Sequence, residues 1–445
     1  DVLGSRGLGD VYKRQVYNFR GGDRLDIKLG DAITVFMEVF GMDAMLEMSE
    51  NDYNKNVINT WKEFAAEGEK HKINLVLDPT KVQTKKSLLN YLIPQTQKKL
   101  KVVFLYPREP KTSAWLYSHE LGRMYLDETF SDKLETEYVA GVDENNVEQV
   151  LEDIIKAGAD IIFCVGPQMM PNSLKVAVEH PEVYILNCSL NAPHPYIRTY
   201  YGRMYEAKFL AGMIAGAVTD NERVAYIADY PIYGMIANIN AFALGVASVN
   251  PRAKVYLAWS KTKDYDRNKF LTENDLHYVS DQDIITPNDA SRYFGLYKLQ
   301  DGQALNLAMP IWNWGVFYEK LLQSVLAGSY KAEGQEQVKA LNYWWGMSAG
   351  VIDLICSKHV PYGVKRLADH LKSDITKGEV VPFFGQIYDQ KGELKNKGEH
   401  EMKPSDIMKM DWLVDNVVGS IPPMREFVDN AKMVVELKGV EENKL

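Results

Sequence analysis

The sequence predicts an α/β protein of two lobes, each built on a mainly parallel sheet with helices on both faces, and three observations carry that expectation. Five short apolar runs recur: KVVFLY (101–106), ADIIFCVG (159–166), EVYILNC (182–188), RVAYIAD (223–229) and AKVYLAW (253–259). Segments of helical period lie between them, for example ENNVEQVLEDIIKAG (144–158). The runs lack polar alternation, as suits strands covered on both faces. At 445 residues the chain also exceeds what one core usually holds.

In chain order, residues 1–15 (DVLGSRGLGDVYKRQ) read as a non-native sequence scar and are set aside. Gly4, Gly7 and Gly9 do not make a phosphate loop, since no strand precedes them and no Gly-Lys-Ser/Thr follows. Residues 16–98 carry apolar residues at three- and four-residue spacing and are expected to form a helical N-terminal fragment. The strand-helix units then divide into lobe 1 (99–219) and lobe 2 (220–310), with elements returning to both lobes over 311–400. Crossings between the lobes are expected near Thr219, Met309 and Tyr343. Helices are predicted over 312–328 and 361–378, a strand pair turning at Lys391-Gly392, and a helical tail from 401 to 445 with a helix around IMKMDWLVDNVVG.

Composition excludes several function classes. The net charge is −9 and the lysines are scattered among acids, so no basic face for nucleic acid is expected. No apolar run approaches the roughly 18 residues of a membrane helix. Cys164, Cys188 and Cys356 lack metal-type spacing and are read as core thiols. The eight histidines are single, without a His-x-x-x-His pair, and Gly-x-Ser-x-Gly is absent. Asp264, Asp266, Asn268, Thr272 and Asp275 imitate a calcium loop, but Lys269 stands where its turn needs glycine, so a solvated loop is expected. The reading is therefore no enzyme, no metal and no cofactor.

What remains is a binding site. In sheets of this kind ligands bind beyond the carboxyl ends of the strands. TSAWLYSHELGR (112–123) opens a helix directly after the first strand and puts Trp115 and Tyr117 at that edge. IADYPIYGMIANINAF (227–242) repeats the arrangement in lobe 2 with Tyr230 and Tyr233. Two such aromatic loops across a cleft would clamp a flat ring; equally, the rings could plug the ends of two cores. Gly166, Pro167 and Ser189, at two further strand ends, and Trp312, at the head of a later helix, complete the strand-end candidates.

Three stretches, 154–189, 205–232 and 239–260, resemble the basic membrane protein family of ABC-transporter substrate-binding proteins, whose best-known members are purine-nucleoside-binding lipoproteins with a type 1 periplasmic-binding fold. The pairing of EAKFLAGMIAG with FALGVASVNP is the most specific part. The resemblance implies a two-lobed protein that closes over a small nucleoside-like or other flat-ring solute, partners an ABC permease, and is extracytoplasmic and membrane-anchored. It puts Trp115 where the family has a ring-stacking phenylalanine, seven residues before Gly122. Leu116 replaces the asparagine that reads the base, Asn238 falls at the second stacking aromatic, and Tyr297 falls at the aspartate that holds ribose hydroxyls. These departures imply a changed ligand preference, because unpaired buried polar groups reject the wrong partner strongly. A second reading is an intracellular regulator that senses a ligand with the same fold. A lipobox cysteine or a helix-turn-helix at the natural N-terminus separates the two.

Overall fold

The computed structural model describes residues 99–189, 196–232, 234–283, 291–327 and 342–429, with residues 330, 431, 432 and 435. The expected helical fragment 16–98, the scar and Tyr233 lie outside them. The chain alternates β1 (Leu100–Tyr106), α1 (Ala114–Thr129), β2 (Leu134–Ala140), α2 (Val147–Lys156), β3 (Ile161–Cys164), α3 (Met170–Glu179), β4 (Tyr184–Cys188) and β5 (Ile197–Gly202). α4 (Tyr205–Val218) leads to β6 (Arg223–Ala228), α5 (Met235–Val249), β7 (Lys254–Trp259), α6 (Arg267–Glu273), β8 (Tyr278–Ser280), β9 (Leu296–Gln300) and β10 (Gln303–Trp312). Then come α7 (Trp314–Leu326), β11 (Asn342–Trp345), β12 (Ile352–Cys356), α8 (Tyr362–Lys377), the hairpin β13 (Gln386–Tyr388) and β14 (Leu394–Lys397), α9 (Pro404–Met408) and β15 (Val417–Val418).

Two sheets result. The first, in the order β11-β5-β4-β3-β1-β2, is parallel throughout. The second, β12-β10-β9-β8-β6-β7-β15, is parallel around β6 and antiparallel from β8 to β12. The fold is thus the two-lobed, type 1 periplasmic-binding kind. Alternation along β1 explains its layers: Val102, Phe104 and Tyr106 enter the large core, while Val103 and Leu105 face α2 and α3.

The five apolar runs all became strands. β2 escaped the sequence because it is an edge strand carrying Glu135 and Glu137, and it reads as polar. The crossings also sit differently from expectation. β5 ends at Gly202 and α4 already packs on α5 of lobe 2, so the first crossing lies at Arg203 and not at Thr219; β10 runs past Met309 to Trp312, and Tyr343 lies inside β11, so the third crossing follows Trp345. The expected tail helix stops at Met408. Asn240 on α5 binds the Trp412 carbonyl (2.7 Å) and the Val414 amide (3.0 Å), and Val417–Val418 add to β7. Those backbone groups are spent on lobe 2 and cannot serve a helix.

Close backbone contact organises lobe 2. α4 and α5 cross where a Cβ on Gly212 would lie 2.0 Å from the Phe242 carbonyl oxygen, and one on Gly245 would lie 2.0 Å from that of Phe209. This explains why EAKFLAGMIAG and FALGVASVNP occur together: their glycines are two halves of one helix contact. The partners at 2.0 Å are backbone atoms that cannot swing aside. Gly212→Val should therefore cost about 3 kcal/mol or more, seen as a lower urea midpoint, whereas a parent-like midpoint would show that the helices can separate freely.

Candidate functional site

The three lobe crossings are bound to one another at the base of the cleft. The Arg203 amide donates to the Trp345 carbonyl (2.8 Å), and the Asn313 amide to the Val351 carbonyl (2.7 Å). Glu206, on the first turn of α4, accepts the Met347 amide (2.6 Å) and pairs with Arg203 Nε (2.7 Å). A Cβ on Gly346 would sit 2.2 Å from that carboxylate, so a larger residue there would push the Glu206 carboxylate out of its place.

Above this knot lies an aromatic wall. His119 stacks on Trp314 (centroids 4.2 Å, 18°), and Trp314 on Trp312 (5.3 Å, 7°), forming a column of three rings. Trp115 stands edge-on to all three, at 4.6, 5.5 and 5.0 Å, and packs on Tyr201 at 5.6 Å. α1 and α7 hold the column together. A Cβ on Gly122 would be 2.9 Å from the Gly315 nitrogen, so the helices touch where the rings leave them. Trp115, Tyr201 and Trp312 are half-buried, whereas His119 and Trp314 are buried. The first three rings are thus the accessible ones. Burial keeps the His119 imidazole well below its ordinary pKa, and its Nδ1 meets the Tyr318 hydroxyl at 2.6 Å.

Tyr117 does not join this wall. Two residues turn a helix by about 200°, so Tyr117 faces away from Trp115. It lines a separate cavity of about 210 Å³ with Pro110, Met124, Arg123 and Tyr138. Gly166 and Pro167 follow β3, where the Asn187 amide nitrogen donates to the Gly166 carbonyl (2.9 Å), and Ser189 follows β4 with its amide on the Tyr200 carbonyl (3.1 Å). Both positions are strand ends of lobe 1. Asn238 is half-buried on the first turn of α5.

The opposite wall belongs to lobe 2 and is polar. Tyr230 follows β6; burial raises its phenol pKa, Asp229 raises it further, and Arg108, which follows β1 in the other lobe, lowers it. Tyr297 is buried and already engaged: its hydroxyl contacts Asp281 (3.3 Å) and the Arg267 guanidinium, which itself pairs with Asp281 (3.0 Å). It is therefore a support for Asp281. Burial lifts the Tyr265 phenol to about 12, with Asp281 adding to it. Lys208, on α4, is 2% exposed and ion-paired with Asp283, beyond β8. Burial works against its charge, yet Asp283 holds its pKa up, at about 12.

Sequence reasoning missed Tyr201, Trp314, His119, Asp281, Asp283 and Lys208. Lys208 left a signal, being a lone lysine in a helix with twelve buried positions from Tyr205 to Gly216. Asp281 and Asp283 left little, since they come from a short strand end whose neighbours are far away in sequence. Of the calcium-like loop, Asp266 instead caps α6 by accepting the Lys269 amide (2.9 Å), and the described residues contain no cluster of three metal-ligating groups.

Two α/β lobes joined by three crossings, with strand ends facing the space between them, make the type 1 periplasmic-binding architecture. Residues 99–292 match the family of ABC transporter substrate-binding proteins, PnrA-like. The chain is 28% identical to a purine-binding protein of Brucella abortus over 340 residues, 73% of this chain and 95% of that one. It is 29% identical over 271 residues to a Haloferax volcanii protein named as an ABC transporter glucose-binding protein, covering 58% and 67%. A transcriptional activator from Bacillus halodurans shares the fold, with a TM-score of 0.50, 15% identity and coverage of 63% and 99%.

The buried neutral His119 sets a pH dependence. Its folded pKa lies below the unfolded value, so the unfolded chain binds the extra proton. Its contribution is complete above about pH 6.5 and is lost as pH falls below that value. The parent should lose more stability than His119→Phe between pH 7.5 and 5.5, as read from urea midpoints. Equal losses would mean that His119 takes up its proton while folded.

Proposed function

We propose that the cleft binds a flat heterocyclic ring of the purine class, stacked on Trp115, and delivers it to a permease. The observation that carries this reading is the half-buried Trp115, held edge-on by the Trp312–Trp314 column beside the crossings. A ring fixed on three sides loses little freedom when a ligand covers its remaining surface. The name of the Brucella abortus relative supports the purine class. The Haloferax volcanii relative makes glucose the comparison ligand, because aromatic faces also receive sugar rings. Asp281 and Asp229 supply acceptors for hydroxyl groups on a substituent reaching lobe 2.

Stacking adds about 0.5–1.5 kcal/mol beyond area burial, and truncation also forfeits that area. Trp115→Ala is therefore expected to weaken purine binding at least tenfold in calorimetry, about 1.4 kcal/mol. Parent-like affinity with an intact fold would assign Trp115 to the core. Tighter binding of glucose than of purines would replace the purine reading.

A ligand touching both walls favours the closed state only through contacts that exist there. X-ray scattering should show a smaller radius of gyration with saturating ligand. Unchanged dimensions would mean that the lobes are already fixed.

A further inference from the structure

Lys208 is a buried ammonium on an otherwise apolar stretch of α4. Its neighbours along α4 are apolar, and taking a charge out of water costs several kcal/mol even when it is paired. Among the described residues it meets the Asp283 carboxylate and the Tyr226 hydroxyl, and its Nζ lies 5.2 Å from the Tyr226 ring centre. An ammonium carries three N–H donors. The third is left for an acceptor from elsewhere. Asp283 is only partly buried, lies just past the end of β8, and acts electrostatically on Tyr201, the ring beside Trp115, and on Asp229, at the end of β6. Asp283 thus follows the carboxyl end of a lobe 2 strand and Lys208 stands five residues past Arg203 at the first crossing, so the ion pair lies on the side of lobe 2 that faces the crossings.

We propose that Lys208 and Asp283 read the edge of the ligand's ring, and that this donor and acceptor, side by side, select a lactam edge: a carbonyl oxygen next to a ring N–H. The carbonyl takes the third ammonium N–H, and the ring N–H donates to Asp283. Hypoxanthine carries that edge on its six-membered ring. Adenine carries the reverse pair, an amino donor beside a bare nitrogen acceptor, which sets donor against ammonium and acceptor against carboxylate. This inference rests on the ring-binding reading above and adds the ring's edge to it. A site built around hydrogen bonds rejects a mismatched edge strongly, because its buried groups are left unpaired.

Calorimetric titration of the full chain with hypoxanthine and with adenine is the test. The parent is expected to bind hypoxanthine at least about tenfold more tightly than adenine. Asp283→Asn, whose amide donates as well as accepts, should shrink that ratio to within about threefold. Trp115→Ala should weaken both purines and leave the ratio alone, which separates stacking from edge reading. Purines that bind the parent equally well, or adenine preferred, would overturn the edge reading while leaving ring binding intact. An unchanged preference in Asp283→Asn would overturn it too. Failure of the parent to bind either purine removes both readings. Should Asp283→Asn not fold, the parent's ratio decides alone.

Discussion

The arrangement depends on the contact between α4 and α5, where glycine at 212 and 245 lets two helices meet backbone to backbone. That contact fixes the position of α4, and α4 supplies side chains in two directions. Its first turn sends Glu206, paired with Arg203 just before the helix, down to the third crossing at Trp345 and Met347. Lys208, two residues on from Glu206, points to Asp283 in lobe 2. One helix thus ties the crossings to the polar wall. Helix packing of this kind is decided by a few tenths of an ångström, because interiors are close-packed and a methyl group has nowhere to go.

A second glycine contact plays the same part for the aromatic wall. Gly122 and Gly315 let α1 approach α7, which brings His119 and Trp115 against Trp314 and Trp312. The order of burial then follows from distance to the helix contact. His119 and Trp314 are sealed, and Trp115, Tyr201 and Trp312 keep part of their surface. Offset and edge-on ring pairs are favourable arrangements of aromatic quadrupoles, so the wall is rigid before any ligand arrives. Rigid walls lower the ordering cost of binding.

Much of the frame was legible in the sequence because strand and helix periods are local properties. The five apolar runs, the α8 helix ending at Gly378 and the hairpin turning at Gly392 follow from such local signals. Trp115 was legible because one strand end and one helix start determine its place. Tyr117 was misplaced by treating neighbours in sequence as neighbours on a helix face. Tyr297 was placed among the ligand residues by family resemblance, and no local pattern showed that its hydroxyl meets Arg267 and Asp281. The polar wall was hidden because its members come from β6, α4, α6 and the end of β8, and no local pattern announces that they meet. The tail defeated helical periodicity for a similar reason, since Asn240, more than 170 positions away, holds its backbone.

The two walls differ in kind, and that difference gives lobe closure its dependence on ligand. The aromatic side presents rings whose affinity for one another is already satisfied within lobe 1 and the crossings. The lobe 2 side presents carboxylates, each held in part by a cation or a hydroxyl: Asp281 by Arg267, Asp283 by Lys208 and Asp229 by Ser260. Bringing rings onto carboxylates strips water from charged groups without supplying donors in its place, which is unfavourable. A solute with an aromatic face and polar edges changes that balance. Its face covers the rings, and its edges return the hydrogen bonds that the carboxylates lose. Closure around such a solute satisfies both walls at once, and closure on nothing satisfies neither.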